Sequence, residues 1–118
     1  MDESSDCRFC EIAAGERPAE IVHDGERIIA FTDTNPQAPF HILLIPKRHV
    51  EDIASLVAAA PSEAAELLSI AVQVANQHGL EGGYRLVVNT GPSTNVPGAV
   101  LHCHCHLLSG RQFTWPPG

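Results

Sequence analysis

Alternating histidines near the end of the chain constrain the fold more than any other feature. Residues 102–108 read "HCHCHLL", with a histidine at every second position. In an α-helix, positions two apart point to nearly opposite sides, whereas in a β-strand they share one face about 7 Å apart. The pattern therefore predicts a strand that presents His102, His104 and His106 on one face. The opposite face then carries side chains suited to a core, namely Leu101, Cys103, Cys105 and Leu107.

The rest of the chain predicts an α+β fold. Residues 7–16 favour a short N-terminal helix that ends near Gly15. Five runs favour strands: residues 20–23 and 27–32 around the turn dipeptide "DG", a segment that starts at Phe40 and ends at Pro46, and the segments "GYRLVVN" and "AVLHCHCHLL". We expect an antiparallel sheet of about five strands with one long and one short helix on one face, forming a single domain over residues 1–118.

The long helix is predicted from the spacing of apolar residues between Pro61 and Gly79. Apolar side chains recur every three or four positions there, and Glu and Gln lie between them, which is typical of an amphipathic helix. Pro61 suits the first turn and Gly79 the end, so the helix should cover residues 61–78. Its predicted core-facing side comprises Ala64, Leu67, Leu68, Ala71, Val72 and Ala75.

Charge and composition narrow the possible partners. The formal net charge is −7, and the seven Lys and Arg residues are scattered, so the basic surface of a nucleic-acid binder is missing. A small anionic ligand remains possible, because imidazoles, amides and backbone N–H groups can hold a single phosphate. No apolar run is long enough for a membrane span, and the acidic N-terminus lacks secretory-signal character. We therefore expect a cytoplasmic protein, in which disulfides are the weaker interpretation of its four cysteines.

The histidine pattern carries chemistry of its own. Near neutral pH an imidazole is both a nucleophile and a ligand for transition metals, so the predicted strand is either a metal platform or a catalytic one. Three histidines at this spacing are rare by chance, which makes a purely structural role the least favoured interpretation. The C-x-x-C pair of Cys7 and Cys10 is modest evidence for a metal site, because it needs two further ligands from elsewhere.

The motif His-φ-His-φ-His-φ-φ, present here as "HCHCHLL", resembles the signature of the histidine triad (HIT) family. The stretches "AFTDTNPQAPFHILLIPKRH", "GYRLVVNTG" and "GRQFTWPPG" resemble the Hint branch of that family, which consists of adenosine phosphoramidate hydrolases that bind purine nucleotides. The resemblance covers residues 7–118. It implies the HIT fold, a homodimer and a purine nucleotide as substrate.

The resemblance also implies roles for individual residues. His104 would be the nucleophile that attacks the α-phosphorus, while His106 and His41 would supply hydrogen bonds to the phosphate and proton transfers. Asn89 would contact the phosphate, and Asp33 would accept the ribose hydroxyls. The apolar walls of the base pocket would be Phe9, Ile12, Phe31 and Leu43. Plainer interpretations stay open: Asn and Asp also form turns, His41 could be a hydrogen-bonded histidine at the end of a strand, and the apolar residues could be ordinary core.

A structural zinc ion is implied by the same resemblance. Family members with a cysteine pair at this place bind zinc through both cysteines, a histidine after "IPK-x" and the first histidine of the triad. The corresponding residues are Cys7, Cys10, His49 and His102. Such a Cys₂His₂ set is a closed tetrahedral site, which stabilises a fold and does not catalyse. Cys103 and Cys105 are then expected to be buried packing residues.

Two departures from the Hint pattern concern the substrate. Gly98 and Ala99 stand where Gln-Ser is usual, which removes two polar contacts to the phosphate or the leaving group. Arg8 stands where an apolar pocket residue is common. The preceding loop is about two residues longer, so Ser93, Thr94 or Asn95 could supply replacement contacts.

Two other functions compete with the phosphoramidate hydrolase. The first is a dinucleoside polyphosphate hydrolase of the Fhit type, against which the terminal "WPPG" speaks, because it is a Hint feature. The second is a nucleotide-binding interaction module with little turnover, which Gly98 and Ala99 make plausible.

Overall fold

The computed structural model describes residues 7–80, 82–94, 96 and 98–118. Within them the helices are α1 (Arg8–Ala13), α2 (Ile53–Ala59) and α3 (Pro61–Gln77), and one turn of 3₁₀ helix covers Pro92–Thr94. The strands are β1 (Ile21–Asp24), β2 (Ile28–Thr32), β3 (Phe40–Pro46), β4 (Tyr84–Val87) and β5 (Cys105–Ser109). None of the helices in this described part combines the length and the apolar character that a membrane-spanning segment needs.

The five strands form one antiparallel sheet in the order β1-β2-β3-β5-β4. This confirms the predicted α+β class with a five-stranded antiparallel sheet. β3 and β5 pair at the centre, and Leu43 of β3 lies directly opposite His106 of β5. β3 also ends at Pro46, as predicted, since a proline has no N–H with which to continue the ladder.

Both faces of the sheet are covered, so the expectation that all helices lie on one face is wrong. Ile42 and Leu44 point into a core that includes Leu56 of α2 and Leu67 of α3. Residues between them in the chain, such as Leu43, point to the other face and join a second cluster with Phe9 and Ile12 of α1. The apolar run "ILLI" of β3 fits this arrangement, because a strand that is buried on both faces needs no alternation.

Helix α2 was not predicted from the sequence. The side chain of Asp52 caps it by accepting a hydrogen bond from the Ser55 N–H at 2.8 Å, and Ala60 then separates it from Pro61 at the start of α3. The helix has only seven residues, which is too short for the apolar spacing to be distinguished from a loop.

Helix α3 begins at Pro61 as predicted and ends at Gln77, one residue before the predicted end. His78 caps it, and Gly79 comes next with a φ of +66°. Its predicted core face is wrong at two positions. Leu67, Ala71 and Ala75 are buried, whereas Leu68 is 49% exposed and Val72 is 42% exposed. These two residues lie one helical turn apart and form an apolar strip on the outer surface of the helix.

The strand predicted for "AVLHCHCHLL" is too long at its start. The ladder begins at Cys105, and residues 99–104 approach it without strand pairing. Leu101 is 58% exposed and is not a core residue, in contrast to the prediction. Cys103 is nevertheless buried with Cys105 in the core beneath α3, and its N–H donates to the Val50 carbonyl at 2.7 Å.

Candidate active site and metal centre

A cavity of about 1220 Å³ lies over the face of the sheet that α1 partly covers. Its floor comes from the strands β2, β3 and β5, and one wall comes from α1. The rest of the rim comes from residues after β4, among them Asn89, Thr94 and Ala99. The structure brings all nine residues predicted for catalysis or substrate binding to this cavity: Phe9, Ile12, Phe31, Asp33, His41, Leu43, Asn89, His104 and His106.

Strand register brings two of the histidines together. His106 lies opposite Leu43, and His41 lies two residues from Leu43 on the same face of β3. The Nε2 atom of His41 is consequently 2.9 Å from the Nδ1 atom of His106. This distance is a hydrogen bond, in which one ring must donate and the other must accept.

Backbone contacts assign the donor and the acceptor. The Gln37 N–H donates to Nδ1 of His41 at 3.0 Å, so this nitrogen carries a lone pair and the ring proton is on Nε2. His41 therefore donates to His106, whose own proton must lie on Nε2. Burial lowers the pKa of His41, partly offset by Asp33. Burial and the nearby His104 and His41 lower the pKa of His106 to about 4. Because both pKa values are lowered, both rings are neutral near pH 7.

The middle histidine of the motif is oriented by its own segment. Nδ1 of His104 lies 2.8 Å from the His102 carbonyl oxygen, which can only accept, so His104 carries its proton on Nδ1. Its Nε2 atom then has a lone pair. The ring of His104 packs against those of His106 and Phe9 at centroid distances of 5.0 and 5.4 Å. His104, with a lone pair on Nε2, and His106, with a proton on Nε2, thus line the same cavity with their rings in contact.

Asp33 combines turn chemistry with a contact to the histidines. One carboxylate oxygen, Oδ1, accepts the Asn35 N–H at 2.8 Å, which is the turn that its position before "TNP" allowed. The other, Oδ2, lies 3.3 Å from Nε2 of His41. Because His41 is neutral and its one ring proton is directed at His106, this contact is not an ion pair. Each carboxylate oxygen can accept a second hydrogen bond, so the half-buried Asp33 can still receive hydroxyl groups.

The apolar wall residues are at the same time core residues. Phe9, Ile12, Phe31 and Leu43 are buried in the cluster beneath α1, and each also borders the cavity. The rings of Phe9 and Phe31 meet edge to face with centroids 5.5 Å apart. The two interpretations of these residues are therefore compatible, since their outer surfaces line the cavity that their inner surfaces support.

The residues after β4 that were considered for contacts to the phosphate have different positions. Asn89, the expected phosphate contact, follows β4, is exposed and borders the cavity. The three candidates for replacement contacts were Ser93, Thr94 and Asn95. Thr94 also borders the cavity, and its hydroxyl donates to the Gly91 carbonyl at 2.8 Å. Ser93 does not line the cavity, and Asn95 lies outside the described residues.

The four predicted zinc ligands converge beside the cavity. Their ligand atoms all lie within 4.8 Å of one another, although the residues come from α1, from the segment after β3 and from the segment before β5. Nδ1 of His102 is 3.4 Å from Sγ of both Cys7 and Cys10, and Nδ1 of His49 is 3.1 Å from Sγ of Cys10. Ligands around a tetrahedral zinc ion have S···N separations of roughly 3.5 Å, given the usual Zn–S and Zn–N bond lengths.

The protonation of His102 also fits a metal ion. Its Nε2 atom is 2.8 Å from the Pro46 carbonyl oxygen and must donate to it, which leaves a lone pair on Nδ1 toward the cysteines. The ring is completely buried, and burial lowers its pKa. Two thiolates and two neutral imidazoles match the charge and the preferences of Zn²⁺. The donor set is therefore fit for a closed structural zinc site.

Comparison with known proteins agrees with this geometry. Residues 14–113 match the HIT domain. The chain belongs to the HIT family.

Three similar proteins carry names that refer to zinc binding, hydrolysis and nucleotide binding. A 14 kDa zinc-binding protein from Zea mays is 47% identical over 114 residues, which cover 93% of this chain and 86% of the relative. The crystal structure of a HIT family hydrolase from Legionella pneumophila is 46% identical, with a TM-score of 0.88, and the match covers 96% of this chain and 100% of that chain. A histidine triad nucleotide-binding protein from Candida albicans is 25% identical, with a TM-score of 0.79, and the match covers 94% of this chain and 83% of that chain.

A second cluster in this HIT protein resembles a metal site only by distance. Ligand atoms of Asp33, His41 and His106 also lie within 4.8 Å of one another. A metal ion on Nε2 of His41 would displace the only ring proton, because Nδ1 already faces the Gln37 N–H. The ring would then be an imidazolate, which is strongly disfavoured near neutral pH. The cluster therefore fits a chain of hydrogen bonds and not a cation.

The remaining cysteines of the HIT protein are not ligands. Burial, together with the charges of Asp52 and Cys105, raises the pKa of Cys103 to about 12, and burial raises the pKa of Cys105 to about 11. Both thiols stay protonated and pack in the core beneath α3. This agrees with their expected role as packing residues.

Sequence reasoning missed the groups that orient the histidines. They are the Gln37 N–H and the carbonyl oxygens of Pro46 and His102. All three are backbone atoms, so residue type carries no signal for them. The two arginines on the cavity rim, Arg8 and Arg17, were also not assigned a role.

Proposed function

We propose that this HIT protein is a Hint-type hydrolase of purine nucleoside phosphoramidates, which releases a nucleoside monophosphate such as AMP through a covalent nucleotidyl-histidine. The observation that carries the proposal is the set of hydrogen bonds that assigns all three ring protons. His104 keeps a lone pair on Nε2, and His106 keeps a donor on Nε2, in the same cavity. A nucleophile beside a neutral donor is what transfer of a nucleotidyl group requires.

In the first step, Nε2 of His104 attacks the α-phosphorus. A bond forms between this nitrogen and phosphorus as the bond from phosphorus to the leaving nitrogen breaks. The resulting imidazolium is stabilised by the His102 carbonyl, which already accepts the Nδ1–H at 2.8 Å. His106 has too low a pKa to stay protonated as an acid at neutral pH, so it acts as a hydrogen-bond donor to the phosphoryl oxygen or the leaving nitrogen.

In the second step, water attacks the phosphorus and the bond to His104 breaks. The leaving nitrogen takes two protons from solvent during the first step and departs as an ammonium ion. The water that attacks in the second step leaves its oxygen on phosphorus and returns two protons to solvent. The imidazole returns to its neutral form with the proton on Nδ1. Dividing the reaction in this way replaces one difficult displacement with two easier ones.

Substrate groups are assigned by the chemistry of the cavity walls. A purine fits between the apolar side chains of Phe9, Ile12, Phe31 and Leu43, since a planar base is largely apolar on its faces. Asp33 at the neighbouring edge accepts ribose hydroxyls with the lone pairs that its turn does not use. Asn89 at the rim donates its amide to a phosphate oxygen.

Bound zinc completes the proposal as a structural element. Cys7, Cys10, His49 and His102 would hold it, and when bound it supplies a cross-link between α1 and the sheet. The thiolates need a reducing environment, which favours the cytoplasm as the place where the protein works.

The direct test is to trap the covalent intermediate. Protein mixed with an adenosine 5′-phosphoramidate and quenched without acid should contain an adenylylated peptide that spans residue 104 in intact and peptide mass spectra. His104→Ala should abolish it, whereas His23→Ala, which changes a histidine on the edge strand β1, should not. Turnover without any adduct would contradict the mechanism. AMP binding without turnover would favour the interaction module instead.

We also propose that two copies form a homodimer across α3 and the edge strand β4. Leu68 and Val72 form an exposed apolar strip on α3, and β4 ends the sheet with Tyr84 38% exposed. An unpaired edge next to apolar surface is a typical protein-protein contact. Sedimentation should give twice the chain mass. Leu68→Arg should give a monomer, whereas Val57→Arg on the exposed side of α2 should leave the dimer intact.

A further inference from the structure

One cation on the cavity has no acidic partner among the described residues. Of the seven Lys and Arg residues in the chain, four form ion pairs and two stack on the ring of Phe113 while donating to backbone carbonyls. The paired residues are Arg17, Arg27, Lys47 and Arg48, and the stacked residues are Arg85 and Arg111. Arg8 is the seventh, and it borders the cavity.

Arg8 lies at the apolar end of the cavity. It opens α1, one helical turn before Ile12 and next to Phe9, so it extends the wall that these two residues form. Its Cζ atom is 5.9 Å from the centroid of the Phe9 ring. Nη2 donates to the Gly98 carbonyl at 3.2 Å, so the guanidinium links α1 to another residue that lines the cavity.

The guanidinium keeps donors for a ligand. It has five N–H groups in a rigid plane, and the bond to Gly98 uses one of them. Residue 98 is a glycine, so it adds no side chain that would compete with a ligand for these donors.

We propose that Arg8 determines base specificity by binding the O6 and N7 atoms of a 6-oxopurine, so that guanine and hypoxanthine are preferred over adenine. The inference rests on the proposed function only in placing the base between the apolar walls. A planar fork of donors matches two adjacent acceptors, and the major-groove edge of guanine presents such a pair. The same edge of adenine presents one acceptor and an amino group, which cannot accept from an arginine.

The position of Arg8 favours the base over the phosphate as its ligand. The phosphate would lie at the histidine end, where His41, His106 and Asn89 are found, whereas Arg8 packs on Phe9 of the apolar wall. A contact to neutral acceptors also predicts that base preference depends little on salt. General attraction of a cation for phosphate would instead weaken with salt equally for every nucleotide.

The test measures dissociation constants of the zinc-loaded protein for four nucleotides by calorimetry. We expect GMP and IMP to bind about tenfold more tightly than AMP, and 7-deaza-GMP to lose most of that advantage because it lacks N7. The ratio should persist between low and moderate salt. Equal affinity for GMP and AMP would overturn the inference, as would a preference for GMP that IMP does not share, since that would point to the 2-amino group.

Variants assign the effect to Arg8. Arg8→Met should bring the ratio of AMP to GMP dissociation constants close to one, and Arg8→Lys should restore little of it, because an ammonium group cannot form the planar fork. Arg17→Met, which removes the other rim arginine, should keep the ratio. A ratio that survives in Arg8→Met, or that falls equally in Arg17→Met, would refute the assignment. Zinc content and melting temperature verify that each variant is folded.

The binding ratio separates this inference from the proposed function. Selective binding of GMP without turnover would retain Arg8 as a specificity residue and refute the hydrolase. Turnover at equal rates with guanosine and adenosine phosphoramidates, together with equal affinities, would retain the hydrolase and refute the role of Arg8 in base specificity.

Discussion

His102 and His104 are two residues apart, yet they use their ring nitrogens in opposite ways. His102 is completely buried, donates from Nε2 to a carbonyl and directs Nδ1 at two cysteines, so both nitrogens are occupied. His104 donates from Nδ1 to a carbonyl and keeps Nε2 for the cavity. The comparison shows that the chemistry of a histidine depends on which nitrogen the backbone occupies and on what the other nitrogen faces.

The zinc-ligand cluster, which contains His102, and the cluster of Asp33, His41 and His106 also differ in which parts of the chain they join. The zinc ligands come from α1, from the segment after β3 and from the segment before β5, so closing that cluster attaches the short α1 to the sheet. His41 and His106 come from paired strands, whose ladder already holds them in place. We therefore expect damage to the first cluster to affect stability most, and damage to the second to affect activity most.

Removing the nucleophile should produce the largest effect. His104→Ala should lower kcat by about 10⁴-fold or more, because no other side chain can form the covalent intermediate. The melting temperature should change by only a few degrees, since the ring is partly exposed and makes one hydrogen bond to its own segment. Steady-state kinetics and calorimetry measure the two quantities. If His104→Ala keeps more than a tenth of the activity, His104 is not the nucleophile.

Breaking the zinc set should give the largest loss of stability. Cys7→Ser should lower bound zinc from about one equivalent to nearly none and reduce the free energy of unfolding by about 3 kcal/mol or more, roughly 10 °C in Tm. Cys103→Ser is the matched control, because it also changes a buried thiol but should retain zinc. Metal analysis and thermal unfolding test both variants. Equal zinc content in both would show that Cys7 is not a ligand.

Sequence patterns predicted the side chains of both clusters because residue type and spacing carry their signal. The alternation of histidines and the pair of cysteines could be recognised without coordinates, as could the five-stranded sheet. The direction of the hydrogen bonds could not, since it depends on the Gln37 N–H and on the carbonyl oxygens of Pro46 and His102. Backbone groups of this kind look alike in every sequence.

Tertiary context accounts for the other differences. Leu68 and Val72 have the spacing of core residues, but the neighbouring elements reach only one side of α3. The contact between Arg8 and the Gly98 carbonyl joins residues 90 positions apart, and no local pattern can indicate such a contact. Composition and periodicity describe an element, whereas its neighbours determine which of its faces is covered.

Changing His41 should have an intermediate effect, because it acts through His106. His41→Met removes the donor that keeps the His106 proton on Nε2 and should lower kcat by about 10 to 100-fold with little change in KM. His41→Gln retains an N–H donor and should recover part of the loss. A merely structural role would instead lower activity and stability in both variants alike. Kinetics of the two variants, with melting temperatures alongside, distinguish these outcomes.

Acid should weaken the fold through His106, and this is the smallest expected effect. Burial, helped by His104 and His41 and opposed by Asp33, lowers the pKa of His106 to about 4 from the ordinary 6.5. Above pH 6.5 the ring is neutral in both states. Between pH 6.5 and 4 the unfolded chain takes up a proton that the folded chain does not, so stability is lost as the pH falls.

A matched variant isolates this contribution from every other acid-labile group. His106→Gln should show a smaller drop in Tm than the unsubstituted protein between pH 7 and 4.5, by a few degrees, or about 1 kcal/mol once screening by solvent is allowed for. Release of zinc and protonation of carboxylates affect both proteins equally and cancel in the difference. Parallel Tm curves would show that protonation of His106 does not destabilise the fold and would contradict the lowered pKa of this ring.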